Sequence, residues 1–195
     1  MDIVLINLEN NKLRLQRFQY QSARERFKFE RVEAINGRQL NRKDLWIEKY
    51  DNRRSLSAGE IGCYLSHHNI YKSSENWTLV FEDDATLCHG FFQKMLGIIS
   101  RTPFDWDIIM LGTTDNWKNK YKGKILWEND YVERLQGDIY GTQCYLITRK
   151  AKRLLIDNQF PINCPIDVKL NNMGLKVYVA KNEICKQGKL GSTTQ

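Results

Sequence analysis

Long apolar runs are missing from this chain, and no stretch approaches the length of a membrane span. A secretory start is missing too, because Met1-Asp2-Ile3-Val4-Leu5-Ile6 has no basic opening and its apolar stretch is short. The five cysteines, Cys63, Cys88, Cys144, Cys164 and Cys185, are odd in number, widely spaced and without a C-x-x-C. That pattern indicates neither a disulfide framework nor a zinc site, and it reads as small buried apolar residues in a reducing compartment. There is no P-loop, no G-x-S-x-G elbow and no G-x-G-x-x-G after the first apolar run. Repeats and low-complexity segments are absent as well. Strands with interleaved aromatic and basic residues, which an RNA-binding sheet would want, are not found.

What is present is an ordinary globular composition: 195 residues, 42% hydrophobic and 27% charged. That length suits one domain with a real core. The net charge of +7 gathers at the ends, with 13 Lys/Arg against 8 Asp/Glu before residue 55 and four Lys against Glu183 from Lys176 onward. Such an excess suits an anionic membrane surface, an anionic small substrate or nucleic acid, and equally a solvated surface.

The residue order predicts an α/β domain. A strand over 3–8, a helix over 12–27 and a strand over 29–35 make a β-α-β start. Residues 40–56 are charged and irregular, read as a short helix and a mobile loop. Ser57-Ala58-Gly59-Glu60 is a capping box, opening a helix to about residue 74. Strands follow over 77–81, 106–111, 143–148 and 176–180, with helices over 91–99, 149–157 and 167–173. A strand pair around 124–127 and 131–136 is also expected. The chain reads as one domain, with a first part over about 1–112 and a second over about 113–195.

The most informative segment is Leu79-Val80-Phe81-Glu82-Asp83-Asp84. Three carboxylates close a buried strand, at the sheet edge where ligands of α/β folds sit. Hard oxygen donors there suit Mg²⁺ or Mn²⁺ bridging to a diphosphate. The plain alternative is an acidic loop capping the next helix. On the helix after Ser57, Glu60 and His67 project along one arc that Ile61, Leu65 and Ile70 flank. A buried acid and imidazole need partners, either a ligand or a satisfied internal network. Arg14 could reach a phosphate or belong to a solvated face. Asn36-Gly37 could read a base or ribose, or be an ordinary turn. Asp167 could be a helix N-cap or a general base.

Taken in order, these blocks resemble glycosyltransferase family 25, the lipooligosaccharide and collagen galactosyltransferases. Ile6-Asn7-Leu8 with Arg14, Ala34-Ile35-Asn36-Gly37, the run Leu56 to His67, Phe81 to Ala85, Tyr145-Leu146-Ile147 with Ala151 and Leu154-Leu155, and Pro165-Ile166-Asp167 carry the likeness. The resemblance implies a GT-A type, Rossmann-like nucleotide-sugar-binding domain with a mostly parallel central sheet. It also implies an inverting transfer from a UDP-sugar, most often UDP-galactose, to a glycan hydroxyl, as in lipooligosaccharide or lipopolysaccharide assembly. Glu82 and Asp84 would be the arms of the D-x-D equivalent holding Mn²⁺ or Mg²⁺. Asn7, Leu8, Arg14, Asn36, Gly37, His67 and Asp83 would line the donor, and Asp167, with Glu60 in reserve, would be the base. Here the acidic motif opens with Glu, and the chain is short for the family. Its partners would be the UDP-sugar, a glycan or glycolipid acceptor and an anionic membrane surface, not nucleic acid. The expected setting is cytoplasmic, at the inner face of a bacterial inner membrane. A sugar-binding module without turnover, or a basic nucleic-acid-binding domain, are the competing readings.

Overall fold

The computed structural model describes residues 1–50, 54–73, 75–114, 124–136 and 139–188. Its centre is an eight-stranded sheet. In chain order the strands are β1 (Asp2–Asn7), β2 (Glu30–Glu33), β3 (Thr78–Glu82), β5 (Ile108–Met110), β6 (Lys124–Glu128), β7 (Val132–Gln136), β8 (Cys144–Ile147) and β9 (Val177–Ala180). They lie in the order β2-β1-β3-β8-β5-β9-β7-β6. The pairs β1–β2, β1–β3 and β5–β9 are parallel, and the other four are antiparallel. The sheet is therefore mixed, with its Rossmann-like parallel part at the β1–β3 end. Strands from the 1–112 and 113–195 parts interleave, since β8 lies between β3 and β5.

Helices cover both faces. Residues of α1 (Lys12–Arg24) and α3 (Phe91–Ile99) pack with Leu5, Leu79, Phe81, Ile109 and Leu146. Residues of α2 (Ala58–Ser73), α4 (Arg149–Asp157) and α5 (Ile166–Asn172) pack with Val4, Ile6, Val80, Ile108, Tyr145 and Ile147. Neighbouring strand residues thus enter opposite cores, which is why these strands read as unbroken apolar runs. The α2 helix is buried on most sides, so it shows no narrow apolar stripe.

Several boundaries differ from the sequence expectation. The first helix stops at Arg24, because Arg26 takes a left-handed φ of 59° that no helix can pass through. The second strand ends at Glu33, and the next segment leaves the sheet where Ile35 N–H donates to Ser66 Oγ at 2.8 Å. In 40–56 the described order is a single 3₁₀ turn, Arg42–Asp44, with isolated bridges at Ile47 and Tyr50. A small antiparallel pair, β4 (Ala85–Leu87) with β10 (Cys185–Gln187), was not foreseen.

One core residue is under tension. His68 is fully buried, stacked on Tyr64 at 4.6 Å, and neither ring nitrogen has a partner among the described residues. The ring thus lacks the hydrogen bonds that a buried imidazole calls for. Burial, with smaller repulsion from His67, Lys72 and Lys169, drops its pKa to about 3. The unfolded chain, at about 6.5, binds the proton that the folded chain refuses, so stability falls as pH drops below 6.5. Between pH 6 and 4 this one group should cost about 2–3 kcal/mol. His68→Phe keeps the ring stacking and removes the titration. Urea unfolding of that variant should show a correspondingly flatter acid limb, and an unchanged limb would rule the explanation out.

Candidate active site

Strand parity sorts the three carboxylates. Phe81 faces α1 and α3, and Asp83 follows it to that side. Its carboxylate accepts from Arg14 Nη1 at 2.7 Å and from Asn7 Nδ2 at 2.8 Å. Asn7 is committed further, to Asn11 O and to Arg31 Nε. Arg14, Asn7 and Asp83 thus form a buried brace between β1, α1 and the end of β3, and all three still line the hollow described next.

Glu82 follows Val80 to the α2 side. Its Oε1 receives Thr142 Oγ1–H at 2.5 Å and stands 3.2 Å from His67 Nε2. His67 Nδ1 in turn is 2.6 Å from Tyr145 Oη, which is 2.9 Å from Tyr71 Oη. This is the satisfied internal network that the arc of α2 called for. Burial alone would raise the Glu82 carboxyl, but His67, Thr142 and Arg14 outweigh it and hold it below the usual value. Asp84 differs. Its Oδ2 accepts from Gln187 Nε2 at 3.1 Å, while its buried Oδ1 has no partner among the described residues. Burial first, then the Glu82 charge, lifts its pKa to about 6.

These groups border two hollows. The first, about 180 Å³, is lined by Asn7, Leu8, Arg14, Asn36, Gly37, His67, Glu82, Asp83 and Asp84, among others. Seven of these residues are the expected donor set, and two are the expected metal arms. Asn36 Oδ1 accepts from Arg38 N–H and so shapes the turn it belongs to. At Gly37 a Cβ would fall 1.7 Å from Ala58 O, and at Gly62 one would fall 2.5 Å from Ile35 O. The turn and the start of α2 therefore touch backbone to backbone.

The second hollow, about 420 Å³, holds Asp167, Glu60, Tyr140, Thr142 and Arg54. Cys63, Glu82 and Gln187 line both, so the two hollows share a wall. Asp167 lies in the first turn of α5 rather than at its cap, which is Pro165. Its carboxylate accepts from Gly141 N–H at 3.2 Å and Val168 N–H at 2.9 Å. Burial raises its pKa all the same. Glu60 completes the capping box, since Ser57 N–H donates to it at 2.7 Å and its own N–H reaches Ser57 Oγ. The Arg54 guanidinium also holds both its oxygens, and the pKa drops to about 2. Asp115, the acid that follows β5 in the sequence, lies outside the described residues.

Sequence reasoning did not single out Thr142 or Gln187, and it met Tyr145 only inside a motif block. No local pattern marks them, because each reaches Glu82, Asp84 or His67 from a distant part of the chain.

The family model of glycosyltransferase family 25, described as an LPS biosynthesis protein family, matches residues 1–170. The chain belongs to glycosyltransferase family 25. Human procollagen galactosyltransferase 2 is 29% identical over 189 residues, covering 85% of this chain and 29% of that protein. Procollagen galactosyltransferase 1-A of Xenopus laevis is 30% identical over 188 residues, again 85% of this chain and 30% of the relative. The chain thus spans less than a third of the length of these relatives. An inositol-1-phosphate CTP transferase structure from T. maritima aligns with a TM-score of 0.47 at 13% identity, covering 95% of this chain and 68% of that one.

Family membership brings the possibility of a divalent cation. The orphaned Asp84 Oδ1, near enough to the ionised Glu82 for that charge to raise its carboxyl, fits one, because a buried hard oxygen without a hydrogen-bond donor suits a divalent cation. A second group, Cys63, His67 and Glu82, brings donor atoms within 4.8 Å of one another.

Proposed function

We propose that this chain is an inverting, metal-dependent glycosyltransferase. It moves a hexose, in the first instance galactose, from a UDP-sugar to a hydroxyl of a glycan acceptor in lipooligosaccharide or lipopolysaccharide assembly. The observation that carries this reading is the shared wall: a hollow ending in Glu82 and Asp84 opens beside one that holds a partly buried carboxylate, Asp167. The family's description as an LPS biosynthesis protein, and the galactosyltransferase relatives, support the donor and the acceptor class.

Glu82 and Asp84 would hold Mn²⁺ or Mg²⁺, which when bound neutralises charge developing on the leaving diphosphate. The Asn36-Gly37 turn supplies the floor for the nucleoside. Arg14, tied to Asp83, adds fixed positive charge at the same edge, so no reorganisation is needed as the bond breaks. On the other side of the wall Asp167 takes the acceptor proton while the new bond to the anomeric carbon forms and the bond to the diphosphate breaks. A single displacement inverts the centre and needs no covalent nucleophile. A raised carboxyl pKa makes Asp167 the better base of the two candidates, whereas Glu60, held near 2, is a weak one. The test is UDP release from a panel of UDP-sugars with Mn²⁺ present. Release from none of them, with the fold intact, would overturn the proposal in favour of a binding module. One relative, a bovine protein described as a probable inactive family 25 member, is 32% identical over 42% of this chain and gives that second reading its precedent.

The basic ends give a further expectation. No described helix is long and apolar enough to cross a membrane. Peripheral binding to an anionic surface, such as the inner face of a bacterial inner membrane, would instead rest on the Lys/Arg excess. Binding to anionic vesicles should fall steeply between low and moderate salt, since screening acts within about 10 Å at 0.1 M. Equal binding to neutral vesicles would count against it.

A further inference from the structure

We propose that Cys63, His67 and Glu82 form a second cation site, selective for thiophilic divalent ions of the Zn²⁺ class. This site shares Glu82 with the carboxylate pair and adds Cys63 and His67 in place of Asp84.

Cys63 and His67 are four residues apart on α2, so they project on one helix face one turn apart. Glu82 meets them from the end of β3. The three donor atoms lie within 4.8 Å of one another. His67 Nε2 and Glu82 Oε1 are already 3.2 Å apart. Two ligands on one tetrahedral zinc, at about 2.0–2.1 Å each, stand about 3.3 Å apart, so this pair needs little movement. The sulfur, with a bond of about 2.3 Å, needs only a modest approach.

The imidazole is supported from behind. A histidine that ligates through Nε2 donates its Nδ1–H to a partner that fixes the ring. Tyr145 Oη is in place to accept it at 2.6 Å, and Tyr145 can pass its own O–H to Tyr71 at 2.9 Å. Thr142 donates to Glu82 in the same way. A fourth position can come from solvent in the hollows that Cys63 and Glu82 both line. Soft sulfur and imidazole donors favour zinc, cadmium or cobalt over Mn²⁺ and Mg²⁺. Burial first, then the charges of Glu82, Asp167 and Asp84, raises the Cys63 thiol and keeps it neutral until a cation arrives. On binding, the S–H bond breaks, the sulfur pair goes to the metal and the proton leaves to buffer. Nothing is oxidised.

Because Glu82 serves both sites, the two cations draw on one carboxylate charge and repel each other, so each weakens the other. This last consequence rests on the donor-site reading above, and it makes Zn²⁺ an inhibitor of Mn²⁺-dependent donor binding.

The experiment titrates the full chain with Cd²⁺ and follows the sulfur-to-cadmium charge-transfer absorption. One ion per chain should bind with that band. Cys63→Ser should abolish the band, and His67→Gln should weaken Cd²⁺ by roughly 10–100-fold or more. Cys88→Ser, remote from the cluster, should change neither. Asp84→Asn should lose Mn²⁺-dependent UDP binding yet keep the cadmium band. A band that survives Cys63→Ser, unaltered affinity in a folded His67→Gln, or no band in the unaltered protein would each overturn the site. Cadmium binding without any Mn²⁺-dependent UDP binding would leave the site standing and sink the donor reading instead.

Discussion

Asp167→Asn should lower sugar transfer by roughly 10²–10⁴-fold, the range for loss of a general base, while UDP-sugar binding persists. The substitution is nearly isosteric. An amide oxygen can still accept from Gly141 N–H or Val168 N–H, so α5 should keep its start. What disappears is the ability to take a proton. The carboxylate belongs to the second hollow, across the wall from Asp84, so donor affinity should change little. The readouts are transfer rate and UDP-sugar affinity side by side, with far-ultraviolet circular dichroism for folding. Lost donor affinity with the fold retained would move Asp167 to the nucleotide side. Unchanged transfer would remove it from the mechanism.

Asp84→Asn should reduce Mn²⁺-dependent UDP binding by at least roughly 100-fold, beyond the 10–100-fold that even outer-shell partners of a metal cost. The same change should leave the metal-free protein as stable as before, or more so. Burial and Glu82 raise the Asp84 pKa, so the ionised group disfavours the fold. For an acid whose folded pKa lies above the unfolded one, stability is higher below the unfolded pKa and lost as pH rises through the folded value, here about 6. The neutral amide removes that penalty, so thermal melts without metal at pH 7–8 should shift upward or stay put. Tight, metal-independent UDP binding by this variant would refute the assignment, and a collapse of the fold would show Asp84 to be structural.

These two residues also show what could be seen in the chain. β3 stood out because both its faces are covered, and its closing acids marked the sheet edge. The family resemblance separated Glu82 and Asp84, as metal arms, from Asp83, but it left open what holds Asp83. Arg14 and Asn7 do, so Asp83 serves as a brace as well as a wall. The capping box was visible at Ser57 and Glu60, and it formed. That Arg54 would hold the same carboxylate depended on the approach of a loop, which no periodicity encodes. β4 and β10 escaped notice because each has three residues and they meet across about a hundred positions of chain. The orphaned ring of His68 is likewise a property of packing, not of pattern.

The contact between Gly37 and the first turn of α2 has an evolutionary consequence. With a Cβ at Gly37 only 1.7 Å from Ala58 O, and one at Gly62 only 2.5 Å from Ile35 O, neither position can gain a methyl group while the other backbone stays where it is. The two motifs, some twenty residues apart, are therefore a single steric unit. A lineage could change one only by remodelling both at once. That would shift the helix carrying Cys63 and His67 relative to the turn carrying Asn36, so a methyl group at either glycine would be felt at the hollow that both line.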